Sequence, residues 1–345
     1  VEEHEAALQH VNRAWDWFAG MVCISATNLG IELGLFDTIR SRGAASAAEL
    51  ANALNFQVRP IDTWAKTLIH YGLLEPAGDE RVRLAPGVDL MVCEPRTLLN
   101  LAPSFAYHGR FLARDFLDLP ALFREGKIEP PARHGRDLAL NVAEQTAAMQ
   151  AVFMTAILPD LGGVRELLEA GGAVLDAGCG TASLGVRLVS EYTTVTYTGV
   201  DTDTEALAAG REMIARLGLQ GRLRLIEGNI AEHAEPAAYD LALLFLSLHE
   251  IGMDDRPAVA RALRGALRPG GVLVILDERY PATLAEAALR SARSGLHFEY
   301  TEMLWGSRVP TSAEMDDLLT ESGFREVEHR SALEGALDII LGWSR

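Results

Sequence analysis

The chain has 345 residues, enough for two domains and a substantial core. Hydrophobic residues make up 49% and charged residues 23%, the balance of a soluble globular protein, and the formal net charge is −17 from 48 acidic and 31 basic side chains. That charge repels a polyanion and argues against nucleic acid as a partner. No apolar run approaches the roughly 20 residues of a membrane span. Val1-Glu-Glu-His lacks the basic and then apolar pattern of a signal peptide. The three cysteines, Cys23, Cys93 and Cys179, are too few and too widely spaced for a disulfide framework or a zinc knuckle. They point to a reducing, cytoplasmic compartment.

The first hundred residues read as helical with one small β element. Residues 14–35 are apolar at helical spacing, with Trp15, Trp17, Phe18, Leu29 and Leu33. Ser46-Ala-Ala-Glu49 is a capping box opening a short helix over 47–54. A third helix fits 60–71, with Pro60 at a favoured first position and Gly72 as its stop. Leu73-Leu74-Glu75, a Gly78-Asp79 turn and Arg81-Val82-Arg83-Leu84 then make a hairpin. Helix, helix, helix, hairpin is the order of a winged helix. Its DNA-reading use is disfavoured, because the candidate recognition helix carries only Lys66 as a cation besides the flanking Arg59. A dimerisation module over residues 1–105 that also covers a substrate pocket is preferred.

Residues 106–160 read as a helical linker and pocket lid, interrupted by the Pro- and Gly-containing stretch 126–135. From 161 to 345 short apolar runs alternate with amphipathic stretches, the signature of a parallel α/β sheet. Strands are predicted at 173–176, 195–201, 223–227, 241–247 and 272–277, with closing strands at 326–330 and 337–343. Helices are predicted at 183–192, 204–217, 256–267 and 312–323.

Val174-Leu-Asp-Ala-Gly-Cys-Gly-Thr181 ends the first of these strands and opens a helix. Glycines let the backbone pass close to a ligand with φ > 0, and the following helix start offers free N–H groups. A glycine loop after a strand also suits a dinucleotide. Here, however, the spacing is Asp-x-Gly-x-Gly, and the carboxylate before the loop would repel a pyrophosphate. Thr198-Gly-Val-Asp201 ends the next strand in a carboxylate placed for a ribose diol. Glu227-Gly-Asn-Ile230 follows the third strand, and Arg268-Pro-Gly-Gly271 precedes Val272-Leu-Val-Ile-Leu276.

These ordered motifs resemble the class I S-adenosylmethionine-dependent methyltransferases. The resemblance implies a Rossmann-like, seven-stranded α/β domain preceded by the mostly helical winged-helix domain. It assigns Asp176, Gly178 and Gly180 to the methionine end of S-adenosylmethionine, Asp201 to the ribose, and Asn229 with Ile230 to the adenine. Asn229 stands where the family usually has Asp.

Open α/β sheets bind ligands beyond the carboxyl ends of their strands, and the fourth strand runs into Ser247-Leu-His-Glu250. The pattern is similar to the large O-methyltransferases of secondary metabolism, in which a His at the place of His249 is the general base; Glu250 replaces the usual Asp. A second resemblance is to α-keto acid C-methyltransferases of peptide-antibiotic pathways. It implies His249, Glu250 and His297 as catalytic residues and as ligands of a divalent metal, iron or zinc. Two imidazoles and a carboxylate suit such an ion, which would stabilise the enolate of a small 2-oxo acid for methylation at C3.

Metal-assisted C-methylation is the leading expectation. O- or N-methylation with His249 as base follows it. A winged-helix regulatory protein with a vestigial cofactor fold is the reading from another class. The expected partners are a small-molecule acceptor and a second copy of the chain, with no nucleic acid and no membrane. Trp305, Tyr300, Phe105, Phe153 and Met154 are candidate pocket walls, whereas His70, His108 and His134 read as incidental.

Overall fold

A computed structural model describes residues 2–78, 80–95, 97–126, 134–233 and 235–344. Asp79 and most of the 126–135 loop lie outside the described residues. The chain divides into two compact units, Val1–Arg114 and Asp115–Arg345, so 115–160 forms part of the second unit.

The first unit opens with a 31-residue helix, Glu2–Glu32, which starts well before the predicted position 14. Helices Leu35–Arg42, Ala47–Leu54 and Val58–His70 follow. The Ser46–Glu49 capping box forms as the sequence predicts. The third of these helices begins two residues before Pro60, which still occupies the first turn, where a missing N–H costs nothing. Strands β1 (Ala45–Ser46), β2 (Leu74–Pro76) and β3 (Arg81–Leu84) form an antiparallel sheet in the order β1-β3-β2. β1, only two residues long, carries no periodic signal in the sequence. Phe36 and Trp64 meet edge to face at 5.4 Å in the core, with Leu50 and Leu68 beside them. The outward side of the first helix stays apolar, with Trp15, Trp17, Phe18 and Met21 each at least 60% exposed.

The second unit is built on seven strands: β4 (Ala173–Ala177), β5 (Thr196–Asp201), β6 (Leu223–Glu227), β7 (Tyr239–Phe245), β8 (Leu267–Glu278), β9 (Glu326–Ala332) and β10 (Leu337–Trp343). Their order is β6-β5-β4-β7-β8-β10-β9. β4 to β8 run parallel, while β10 is antiparallel to both β8 and β9. All seven predicted strands are present, because β7, β8 and β10 are buried on both faces and so read as continuous apolar runs. Two apolar layers sandwich the sheet. Leu188, Val189 and Tyr197 belong to one, and Val259, Leu263 and Met315 to the other. Arg268-Pro-Gly-Gly271, predicted to precede the strand, lies within the first residues of β8.

The chain order reverses between β4 and β7. β4 feeds β5 on one side, and β7 joins it on the other. A crevice opens at the carboxyl ends of strands at such a switch point. The fold therefore fixes the place of the site before any side chain is considered.

Candidate active site

A cavity of about 440 Å³ lies at that switch point, within the range of small-molecule and cofactor sites. Asp176, Gly178, Gly180 and Asp201, the residues expected to hold the donor, line it. Gly178 has φ 74°, and a Cβ there would lie 2.6 Å from the Ser247 Cβ, so only glycine lets the β4 loop pass the β7 loop. Gly180 has φ 53° and donates its N–H to Asp201 Oδ2 at 2.6 Å. Asp201 Oδ1 accepts from the Asp203 N–H at 2.8 Å. The carboxylate is thus held in place from both sides, with lone pairs left for a further donor. Asp176 accepts a hydrogen bond from the Tyr197 hydroxyl through Oδ2, while its buried Oδ1 has no hydrogen-bond partner. Burial raises its pKa to about 7, against the Tyr197 hydrogen bond.

Asn229 and Ile230 are not walls of this cavity. The Asn229 side-chain carbonyl accepts from the Ala231 N–H at 2.9 Å, capping the short turn that follows, and Ile230 is 6% exposed within the core. The cavity does take in His134, which had read as incidental. Its Nε2 lies 2.9 and 3.0 Å from the two Asp115 oxygens.

The chemistry-bearing cluster sits at the ends of β7 and β8. Beyond β7 the backbone takes a left-handed turn at Leu246 (φ 51°), a strained conformation for a branched residue that is often kept at functional sites. His249 follows, buried, with Nδ1 2.5 Å from Asp277 Oδ1 and its own N–H donating to Asp277 Oδ2 at 3.1 Å. Asp277 therefore fixes both the ring and the backbone of His249. Glu278 Oε2 lies 3.6 Å from the same nitrogen, and the Phe298 ring is 6.2 Å from the imidazole.

Burial alone would lower the His249 pKa. The Asp277 charge and hydrogen bond, joined by Glu302 and Glu278, outweigh it and carry the pKa well above the ordinary imidazole value. Burial likewise works to raise Asp277, but the His249 charge and hydrogen bonds hold it below the usual carboxylate range. Glu278 and Glu302 are raised to about 8 by burial against the pull of the His249 charge, whereas Glu250 is exposed at the cavity wall. Glu278 Oε2 and Glu302 Oε2 are buried without hydrogen-bond partners.

The structure does not gather His249, Glu250 and His297 around one point. Glu250 lines the switch-point cavity, the His249 Nδ1 is taken by Asp277, and His297 lines a separate cavity with Arg290 and Arg293. Adjacent residues on a tight turn send their side chains apart, which is why His249 and Glu250 diverge. Among the described residues, the His, Cys, Asp and Glu group whose potential ligand atoms come within 4.8 Å is His249, Asp277 and Glu278. In it the 2.5 Å contact between Nδ1 and Oδ1 is a hydrogen bond, too close for an ion between them. The expected metal set does not fit.

Asp277, Glu278 and Glu302 escaped the sequence reading. A signal for the first two existed, since β8, like β4 and β5, ends in carboxylates at the same edge. Of the predicted walls, Trp305 lines the cavity, and Phe153 backs it at 5.4 Å from the lining Phe245. Tyr300 is 48% exposed and packs on Phe116, and Phe105 belongs to the core of the first unit.

Strand order, glycine loop and carboxylate-tipped strands define a class I methyltransferase, and residues 175–273 match the family model for the methyltransferase domain. The protein is an S-adenosylmethionine-dependent methyltransferase. It is similar to the 3-hydroxy-5-methyl-1-naphthoate 3-O-methyltransferase of Streptomyces sahachiroi, at 25% identity over 95% of this chain and 93% of that protein. Human N-acetylserotonin methyltransferase, solved with S-adenosylmethionine, shares the fold with a TM-score of 0.75 at 18% identity, covering 97% of both chains. An O-methyltransferase of neocarzinostatin biosynthesis, solved with S-adenosylmethionine and 2-hydroxy-5-methyl naphthoic acid, aligns with a TM-score of 0.65 at 20% identity. That match covers 92% of this chain and 95% of the other.

The unpartnered Asp176 oxygen fits the donor's ammonium, and the glycine loop fits a ligand pressed against backbone. Because burial raises the Asp176 pKa to about 7 and an ammonium favours its ionised form, affinity is fully present above that pH and falls as pH drops through it. S-adenosylhomocysteine carries the same ammonium. Calorimetric titration between pH 5.5 and 7.5 is expected to show its affinity falling up to about tenfold per unit below 7. The slope should vanish in Asp176→Asn. A pH-independent wild-type affinity would contradict the assignment.

Proposed function

We propose that the protein is an O-methyltransferase of secondary metabolism that methylates a hydroxyl on a small, largely apolar acceptor, with His249 as general base. The observation that carries this reading is the buried His249–Asp277 pair at the mouth of β7 and β8. A carboxylate on Nδ1 fixes the tautomer in which that nitrogen carries the proton and Nε2 is the basic atom. It also stabilises the imidazolium that forms when a hydroxyl proton arrives. The similarity to the naphthoate O-methyltransferase over nearly the whole chain supports the same reading.

Bound S-adenosylmethionine supplies an electrophilic methyl group on a sulfonium. Asp176, Gly178 and Gly180 would hold its methionine end and Asp201 its ribose hydroxyls, so that the sulfonium faces the β7 end. Methyl transfer needs mainly alignment of acceptor oxygen, methyl carbon and sulfur. His249 accepts the hydroxyl proton at Nε2 as the oxygen becomes nucleophilic, while Asp277 keeps the ring from turning. Trp305 and Phe245 give the cavity an aromatic wall. Glu250, exposed at the cavity wall, can accept a hydrogen bond from a polar group on the acceptor.

The test uses a panel of hydroxylated naphthoates and other phenols with S-adenosylmethionine. His249→Ala is expected to lose activity by roughly 10²–10⁴-fold, the usual contribution of a general base, while His297→Ala and a strong chelator leave it near wild type. Turnover confined to 2-oxo acids and abolished by chelator would overturn the proposal in favour of metal-assisted C-methylation.

We also infer that the exposed apolar side of Glu2–Glu32 is covered by a second copy of the chain. Trp15, Phe18 and Met21 on a helix of an otherwise acidic protein form the kind of contiguous patch that marks an interaction surface. Light scattering is expected to give twice the chain mass for the wild type and the monomer mass for the Trp15→Asp, Phe18→Asp, Met21→Asp triple variant. A monomeric wild type would contradict the assignment.

A further inference from the structure

A second cavity, of about 660 Å³, lies apart from the donor site in the same unit. One wall is the turn Arg290–Ala292 with the start of the helix Arg293–Glu302; the other is the turn Leu333–Gly335. Its polar lining is Arg290, Arg293, Ser291, Ser294 and His297, with Glu334 as the acidic member. Neither Arg290 nor Arg293 makes an ion pair or side-chain hydrogen bond with a described residue. The Arg279 Nη2 lies 3.5 Å from where a Gly335 Cβ would stand, bringing a third guanidinium to the edge of the same turn.

The apolar part of the cavity consists of Leu289 and Leu333, 57% and 50% exposed, together with Ala336. The turn that presents Leu333 is held in an unfavourable backbone. Leu333 (φ 51°) and Glu334 (φ 59°) are both left-handed, followed by Gly335 at φ 85°. Two consecutive non-glycine residues in that region are costly. Such strain clusters at ligand-holding positions.

We propose that this cavity is a binding site for an organic phosphate monoester. Two guanidinium forks and two hydroxyls offer more donors than a carboxylate's two oxygens can use, and they match the three terminal oxygens of a phosphate. The two exposed leucines receive the apolar body of the ester. The site is separate from the donor cavity, with which it shares no lining residue. It is joined to the catalytic cluster through one helix. His297 faces the new cavity, the adjacent Phe298 packs 6.2 Å from the His249 ring, and Glu302 on the same helix contributes to the charge around that ring.

The test is calorimetric titration of the full chain with phenyl phosphate in the presence of saturating S-adenosylhomocysteine. Saturable binding is expected. Arg290→Ala and Arg293→Ala should each weaken it roughly tenfold, the usual size of one charge-assisted contact, while S-adenosylhomocysteine affinity stays unchanged. Inorganic phosphate is expected to bind at the same site more weakly, because it lacks the body that meets Leu289 and Leu333. The readout is binding rather than turnover, so its outcome is independent of the acceptor chemistry proposed above. Absence of saturable binding by the wild type overturns the proposal. So does phenyl phosphate binding that the Arg290→Ala, Arg293→Ala double variant retains, or that saturating S-adenosylhomocysteine abolishes.

Discussion

The buried contact between His249 and Asp277 is the interaction on which the rest of the site depends. An imidazole removed from water would ordinarily be neutral. Here a carboxylate at hydrogen-bond distance reverses that tendency and ties ring and backbone to the end of β8 at once. The pair bridges the ends of two neighbouring parallel strands. Sheet register, Leu244 beside Ile275 and Phe245 beside Leu276, brings the turn that carries His249 to the end of β8, where Asp277 anchors it. Such anchoring is what a group that must accept a proton in alignment with methyl transfer requires.

Negative charge gathers around this pair more densely than stability alone would favour. β4, β5 and β8 each end at or one residue beyond a carboxylate, and Glu250 and Glu302 add two more. Burial raises Asp176 to about 7 and Glu278 and Glu302 to about 8. A donor that brings an ammonium and a sulfonium relieves the repulsion among these carboxylates. The same charges that cost stability favour a cationic ligand, a common arrangement in which stability is given up where function needs it.

Much of the second unit was legible in the sequence because its signals are local. Strands buried on both faces appear as unbroken apolar runs, and the loop at Gly178 and Gly180 is written in residues that must sit next to each other. Asp176 and Asp201 were readable for the same reason. The catalytic set was less so. His249 announced itself at a strand end, but its partner, Asp277, lies 28 positions away and is joined to it only by the pairing of β7 with β8. The metal set of His249, Glu250 and His297 rested on residue types without that geometry, and the turn after β7 sends the first two toward different neighbours. Asn229 lies outside the cavity lining, and its side chain caps the backbone beside it, a local use that a motif does not reveal. His134 gave no signal because its meaning comes from Asp115, 19 residues earlier.

The most direct test of the central claim is the pH dependence of kcat/KM for the acceptor in the wild type and in Asp277→Asn. If Asp277 raises the basicity of His249, wild-type activity climbs with pH through a limb lying above the ordinary imidazole range. In Asp277→Asn that limb moves down by roughly one unit or more, to a much lower plateau, because the opposite charge is gone and the tautomer is no longer fixed. A wild-type limb at or below the ordinary imidazole value, or a profile that Asp277→Asn leaves in place, would contradict the account.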